Sequence, residues 1–140
     1  MGTHFSTIAK RSRLGPVDAN LVLRDIADGA EAATAAETGI ALDVRAQCSY
    51  KVALSISAAP GTIDGSNYWD ISVEVSDALA GTYTSVGSYR SKGGAEQIEI
   101  PVSGDNIAAL DADSAFMRVN ATKTGTTATS ITYGAWVVPT

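Results

Sequence analysis

The sequence predicts an all-β domain, an antiparallel β-sandwich or jelly-roll-like barrel with an extended N-terminal arm. Three observations lead there. Apolar and polar residues alternate with period two along most of the chain after residue 40. Short Gly-, Asn- and Asp-rich clusters separate the alternating runs. Charged residues make up 18% of the chain, below the usual ~25%, which suits strands and small-residue loops better than surface helices with Lys and Glu ladders.

Each run has a definite inner face. In Tyr50–Ser57 that face is Tyr50, Val52, Leu54 and Ile56, and the other is Lys51, Ala53, Ser55 and Ser57. In Trp69–Ser76 it is Trp69, Ile71, Val73 and Val75, and a one-residue slip would bury Asp70 and Glu74 instead. Ile98, Ile100 and Val102 continue the pattern, as do Met117, Val119 and Ala121, and then Ile131, Tyr133, Ala135 and Val137. Ile40, Leu42 and Val44 form a shorter run, and Thr82–Tyr89 reads as a strand pairing with the Trp69 run across a loop at 77–81. Short connections of this kind favour antiparallel pairing. Residues 28–37 have helix-forming composition but no apolar stripe, so they are expected to be extended or loop, with a short helix as the alternative. Residues 106–113 have the composition of one helical turn.

A chain of 140 residues is one domain's worth. Chains of ~150 residues bury roughly two-thirds of what the unfolded chain exposes, enough for a core without metals or disulfides. The division expected is an arm over residues 1–19 and a sandwich over 20–140. The single cysteine, Cys48, has no partner for an intrachain disulfide and reads as a small packed strand residue. No run approaches the ~18 apolar residues of a membrane span, so no membrane partner is expected. The N-terminal charges have no apolar stretch behind them, so synthesis in the cytoplasm is expected. The Asn120-Ala121-Thr122 sequon reads as accidental.

A search for chemistry yields no catalytic constellation, cofactor cradle or metal site. The one histidine, His4, sits four residues from the terminus, whereas an acid–base histidine must be held by a third group. Asp111 and Asp113 lack the six to eight oxygen ligands and turn glycine of a calcium loop, and Asp64 and Asp70, which flank an Asp-Gly turn, likewise read as a solvated loop. Gly93-Gly94 has no following helix to cradle phosphate.

Charge is segregated. Residues 1–24 hold Lys10, Arg11, Arg13 and Arg24 against Asp18, a net of +3, which leaves −8 on the rest of a chain of net charge −5. A basic tail on an acidic body suggests docking on an acidic surface; a solvated terminus is the plainer reading. The body should repel phosphate, so no direct nucleic-acid partner is expected. Trp136 has the opposite parity to Ile131, Tyr133, Ala135 and Val137. It is therefore expected to face outward or into a second interface, where Trp marks a subunit contact, a second core layer or a sugar-stacking platform; the contact is the expected role.

Several segments taken in order resemble small capsid cement, or head decoration, proteins of tailed bacteriophages. They are Leu21-Val22-Leu23-Arg24-Asp25, Glu37–Asp43, Val73–Asp77 leading to Tyr83–Ser88, and the closing Phe116–Thr122 and Ile131–Trp136. The resemblance implies a non-enzymatic structural virion protein on the capsid exterior, without cofactor. It would bind the major capsid protein, cement neighbouring capsid subunits against internal pressure, and form a homo-oligomer, by preference a trimer. Lys10, Arg11, Arg13, Arg24 and Trp136 are the partner contacts expected from charge and patterning. A carbohydrate-binding sandwich on a virion and a tail or neck structural protein are the alternatives.

Overall fold

The computed structural model describes residues 21–41, 49–103, 107 and 116–139. The arm 1–19 and Cys48 lie outside the described residues, as does the predicted turn 106–113 apart from Ile107, which is helical and buried. Among the described residues the strands are β1 (Val22–Arg24), β2 (Ala30–Glu31), β3 (Ala35–Ala36), β4 (Ile40–Ala41), β5 (Ser49–Ala58), β6 (Tyr68–Ser76), β7 (Thr84–Arg90), β8 (Glu96–Ser103), β9 (Phe116–Thr124) and β10 (Ile131–Pro139). One sheet, here A, has the order β1-β10-β5-β8, with β2 beside β10. The other, B, has the order β3-β9-β6-β7, with β4 beside β9. Every pairing is antiparallel. Successive long strands mostly alternate between the sheets, and this order is that of a jelly roll. The fold is thus an all-β sandwich, as the alternation predicts.

The core lies where the period-two patterns meet. Val52 and Leu54 of β5, Trp69, Ile71 and Val73 of β6, Met117, Val119 and Ala121 of β9, and Ile131, Tyr133, Ala135 and Val137 of β10 are all fully buried. Their polar neighbours Asp70, Ser72 and Glu74 turn to the outer face and stay partly exposed. The β6 register is therefore the one that keeps both carboxylates out of the interior. Trp69 Nε1 and Tyr133 Oη are buried without a hydrogen-bond partner. An orphaned polar group costs ~1–3 kcal/mol. Burying a ring of ~200 Å² at ~25 cal/mol per Å² contributes about 5 kcal/mol, so ring volume wins over the lost hydrogen bond at both sites.

Two irregularities reshape the prediction. The β6–β7 register shifts between Val73 and Glu74. The connection between these strands runs from 77 to 83, longer than the loop expected, and Tyr83 belongs to it rather than to β7. Its hydroxyl donates to Leu79 O at 2.9 Å, folding the loop back on itself. The segment 28–37 is extended, as composition without a stripe predicts. It holds β2 and β3, after a 3-10 turn at Ile26–Asp28 that Asp25 caps by accepting from Ala27 N at 2.9 Å. Residues 22–41 thus form a ribbon that starts on sheet A and finishes on sheet B.

One end of the sandwich gathers the connections 59–67, 91–95 and 125–130. Asn67 Oδ1 accepts from Thr126 N at 2.9 Å and Thr127 N at 3.1 Å, tying two of these turns together. Gly125, at φ +83°, lies against that amide so closely that no Cβ fits. At the opposite end the chain leaves β4 and β8, enters β5 and β9, and turns from β6 to β7. No helix among the described residues is long and apolar enough to cross a membrane.

The register argument has a direct measurement. Val73→Ala should lower stability by about 1–3 kcal/mol through lost transfer energy and a cavity. Ser72→Ala, one residue along on the outer face, should change it by less than about 0.5 kcal/mol. Equal shifts in urea midpoints for the two variants would contradict the assigned faces.

Candidate functional site

The residues expected to meet a partner fall into three environments. Lys10, Arg11 and Arg13 lie outside the described residues. Arg24 does not lie on the surface: the residue is only 3% exposed. The β1–β10 register shifts between Val22, opposite Trp136, and Arg24, opposite Ala135. That irregularity turns Arg24 inward although simple alternation from Val22 places it outside. Its Nε donates to Tyr133 O at 3.1 Å, one terminal nitrogen donates to Gly29 O at 2.6 Å, and the other meets Glu31 Oε1 at 2.9 Å and Glu37 Oε2 at 3.0 Å. The guanidinium also lies 4.7 Å from the centre of the Tyr133 ring. Burial disfavours its charge, but Glu37, Tyr133 and Glu31 outweigh burial and hold its pKa above the ordinary value. Arg24 is a structural cation, and the expectation of a capsid contact there is corrected accordingly. Its partners Glu31 and Glu37 carry no sequence signal, because two-residue strands leave no alternation to read.

Without Arg24, residues 1–20 carry three cations against Asp18, a net of +2, and the remainder carries −7. The segregation of charge survives the correction.

Trp136 does face outward from sheet A, where it is half-buried. Register places it in a row with Val22 on one side and Ala53, then Glu99, on the other. The next row is Val138, Lys51 and Pro101. Ala53 is fully buried yet stands outside the main core cluster, so this face has a small apolar layer of its own. Trp136 Nε1 is buried and has no hydrogen-bond partner. Gly134 lets Ile26 rest on the same face: a Cβ there would lie 3.1 Å from Ile26 Cβ, and Ile26 is 42% exposed. Lys51 Nζ and Glu99 Oε2 stand 3.8 Å apart, beyond hydrogen-bonding range.

The outer face of sheet B is different. Arg90 lies 3.7 Å from the centre of the Tyr68 ring and pairs with Asp70 at 3.3 Å. Arg118 lies 3.9 Å from the Tyr83 ring and pairs with Glu74 at 2.8 Å. Both cations are thus matched within the molecule, and each of these tyrosines has one face under a guanidinium. Asn120 of the sequon is on this face, in the middle of β9, with its Nδ2 3.5 Å from Glu74 Oε2. Its place in a paired strand supports the reading of the sequon as accidental.

The remaining polar clusters are structural. Asp64 Oδ1 accepts from Ser66 N at 2.8 Å and Asn67 Nδ2 at 3.0 Å, closing its own turn. The Asn67 amide, then Ser66 N, hold the Asp64 carboxyl below its usual pKa. Glu96 accepts from Tyr89 Oη, from Ser91 Oγ at 3.1 Å and from Lys92 N at 3.0 Å. The Ser91 hydroxyl also accepts from Gly93 N at 3.2 Å and is buried, so it pins the β7–β8 turn and offers no nucleophile. Among the described residues no three His, Cys, Asp or Glu side chains are grouped to hold a metal ion. The two outer faces thus differ: a small apolar layer with Ala53 and Trp136 on sheet A, and charges paired within the molecule on sheet B.

In comparisons with known proteins, no family model matches the chain and no curated protein is significantly similar to it.

Two predictions follow from the polar groups. Arg24→Met should cost on the order of 3 kcal/mol, since it strands two carboxylates and unpins the ribbon. Tyr133→Phe removes only an unpartnered hydroxyl and should shift stability by no more than about 1 kcal/mol in either direction. Urea denaturation at neutral pH separates the two. Alkaline pH gives the second. The Glu96 hydrogen bond, then burial, push Tyr89 up to about 12, and burial raises Tyr133 as well. An unfolded tyrosine ionises near ~10, so the folded state holds these protons longer. Their contribution is complete below pH ~10 and is lost as pH rises through the folded values. The urea midpoint should fall steadily between pH ~10 and ~12, and Tyr89→Phe should flatten part of that decline. A midpoint independent of pH across this range would contradict both shifts.

Proposed function

We propose that this chain is a structural virion protein that binds the outside of a phage capsid and cements neighbouring major capsid subunits. The observation that carries the reading is charge segregation. A +2 segment enters a −7 body at β1, and β1 runs directly beside Trp136 on the outer face of sheet A. A jelly roll is shared by viral capsid and lectin domains, so the fold is compatible with the reading but does not by itself select it. Sugar binding through Tyr68 or Tyr83 is the weaker alternative, because a guanidinium already stacks on each ring. In the proposed role residues 1–20 supply cations to an acidic shell, and the body stands outward as a soluble module. Each exposed ion pair contributes only ~0–1 kcal/mol, so binding relies on several contacts repeated over many capsid copies. Such contacts are screened over ~10 Å at 0.1 M salt.

The test is a decoration titration onto undecorated heads of the virus that encodes the chain, at low and moderate salt. Deleting residues 1–13 should leave the melting temperature nearly unchanged, weaken binding, and reduce its salt dependence. Identical curves for the full-length and truncated protein at both salts would overturn the reading.

A further inference from the structure

We propose that the ribbon 22–41 is a strap that opens and closes as one unit over an intact sandwich, with Arg24 as its clasp.

The ribbon is held differently from the rest of the fold. It pairs only with β9 and β10, through β1, β2, β3 and β4, each of which contributes two paired residues. Among the described residues, Leu23 is its one buried apolar side chain, and the interior is otherwise filled from residues 50–137. Ile40, and Leu21 just before the ribbon, are only partly buried. The long strands, by contrast, pair with one another along most of their lengths. Lifting the ribbon therefore uncovers one edge of each sheet and removes little from the core. Segments with few buried apolar contacts open at lower free energy than the whole domain.

Arg24 decides how the ribbon opens. Its side chain is 1% exposed, and it is met by Tyr133 O of the body and by Gly29 O, Glu31 and Glu37 along the ribbon. Measured against water, a well-partnered buried ion pair adds little net stability, whereas one stripped of a partner is strongly destabilised. The clasp thus does more to disfavour half-open forms than to tighten the closed one. Lifting β3 with Glu37 while β1 stays in place leaves a buried guanidinium short of a carboxylate. Lifting β1 alone strands Glu31 and Glu37 without their cation. Only the closed and the fully open ribbon leave every one of these charges either paired or in water. Attachment to sheet B is reciprocal as well: Glu37 N donates to Val119 O at 3.0 Å, and Lys123 N donates to Thr34 Oγ1 at 3.0 Å. A ribbon without such coupling would fray stepwise from its free end, as terminal segments ordinarily do. The open form keeps both sheets, so the segment that joins residues 1–20 to the body can change place without unfolding the domain.

The experiment is native-state amide hydrogen exchange on the full chain, followed by NMR across a series of low urea concentrations, beside Glu37→Gln and Val73→Ala. Far-UV circular dichroism checks that each variant is folded. The amides at positions 37 and 123 report the ribbon from its two sides, and amides in the middle of β5 and β6 report the sandwich. In the wild type the protection factors of the ribbon amides should agree within about threefold and lie at least about tenfold below those of mid-β5 and mid-β6. They should also share one shallow urea dependence, since little surface is exposed when the strap opens. Glu37→Gln should lower all ribbon protection factors together by about tenfold or more. Val73→Ala should lower protection in β5 and β6 but leave the ribbon within about threefold of wild type, because its cavity is present in the closed and the open form alike. Ribbon amides as protected as mid-β5, ribbon amides that each follow their own urea slope, or a ribbon that responds to Val73→Ala as strongly as the sandwich does would each overturn the proposal. The wild-type urea series decides between one opening unit and stepwise fraying even if a variant fails to fold.

Discussion

Burying the Arg24 guanidinium requires its donors to be met within the protein, and four acceptors from β10 and from the ribbon after β1 do so. Tyr133 O supplies an acceptor from β10, Gly29 O and Glu31 from the turn and strand after β1, and Glu37 from the far side of the ribbon next to β9. A charge taken out of water without such partners costs several kcal/mol. The positions of β2, β3 and the intervening backbone are therefore coupled to one side chain. The ribbon can cross from sheet A to sheet B with only two-residue strands because the ion pairs do what a longer ladder would otherwise do. The β1 irregularity is the geometric condition for this arrangement, since it swings Arg24 to the inner side.

The same economy explains why the outer faces differ. Where Arg and Tyr occur on sheet B they serve one another and their neighbouring carboxylates, which leaves a surface that water covers readily. On sheet A a small apolar layer lies outside the main core: Ala53 is fully buried there and Ile26 rests on Gly134. Ala53 and Gly134 flatten the centre, and Trp136 stands between them at the cost of an unpaired donor. Gly134 is needed where it stands, since a Cβ there would press on the Ile26 backbone and side chain.

The long strands were legible because period-two alternation needs no knowledge of partners. Trp69, Ile71, Val73 and Val75 declare their face, as do Tyr50, Val52, Leu54 and Ile56. The outward parity of Trp136 was legible for the same reason. Irregularities defeat that logic. One beside Val22 reverses Arg24, and pairing of β7 stops at Thr84, which leaves Tyr83 in a loop rather than a strand. The Arg24–Glu31–Glu37 cluster depends on tertiary proximity across 109 residues to Tyr133, which no local pattern encodes. The diagonal placement of Lys51 and Glu99 likewise becomes visible only once β5 and β8 are in register.

The pairing of β1 with β10 also bears on how the molecule is made. A ribosome releases the ribbon first, but the strands it pairs with, β9 and β10, are among the last to emerge. Until they do, the small strands have no ladder partners and Arg24 has only Gly29, Glu31 and Glu37 of its own ribbon, and the loop to be closed is the length of nearly the whole domain. Closing it costs entropy that only these late contacts repay. The first described residues of the chain thus cannot reach their native places before β9 and β10 have emerged.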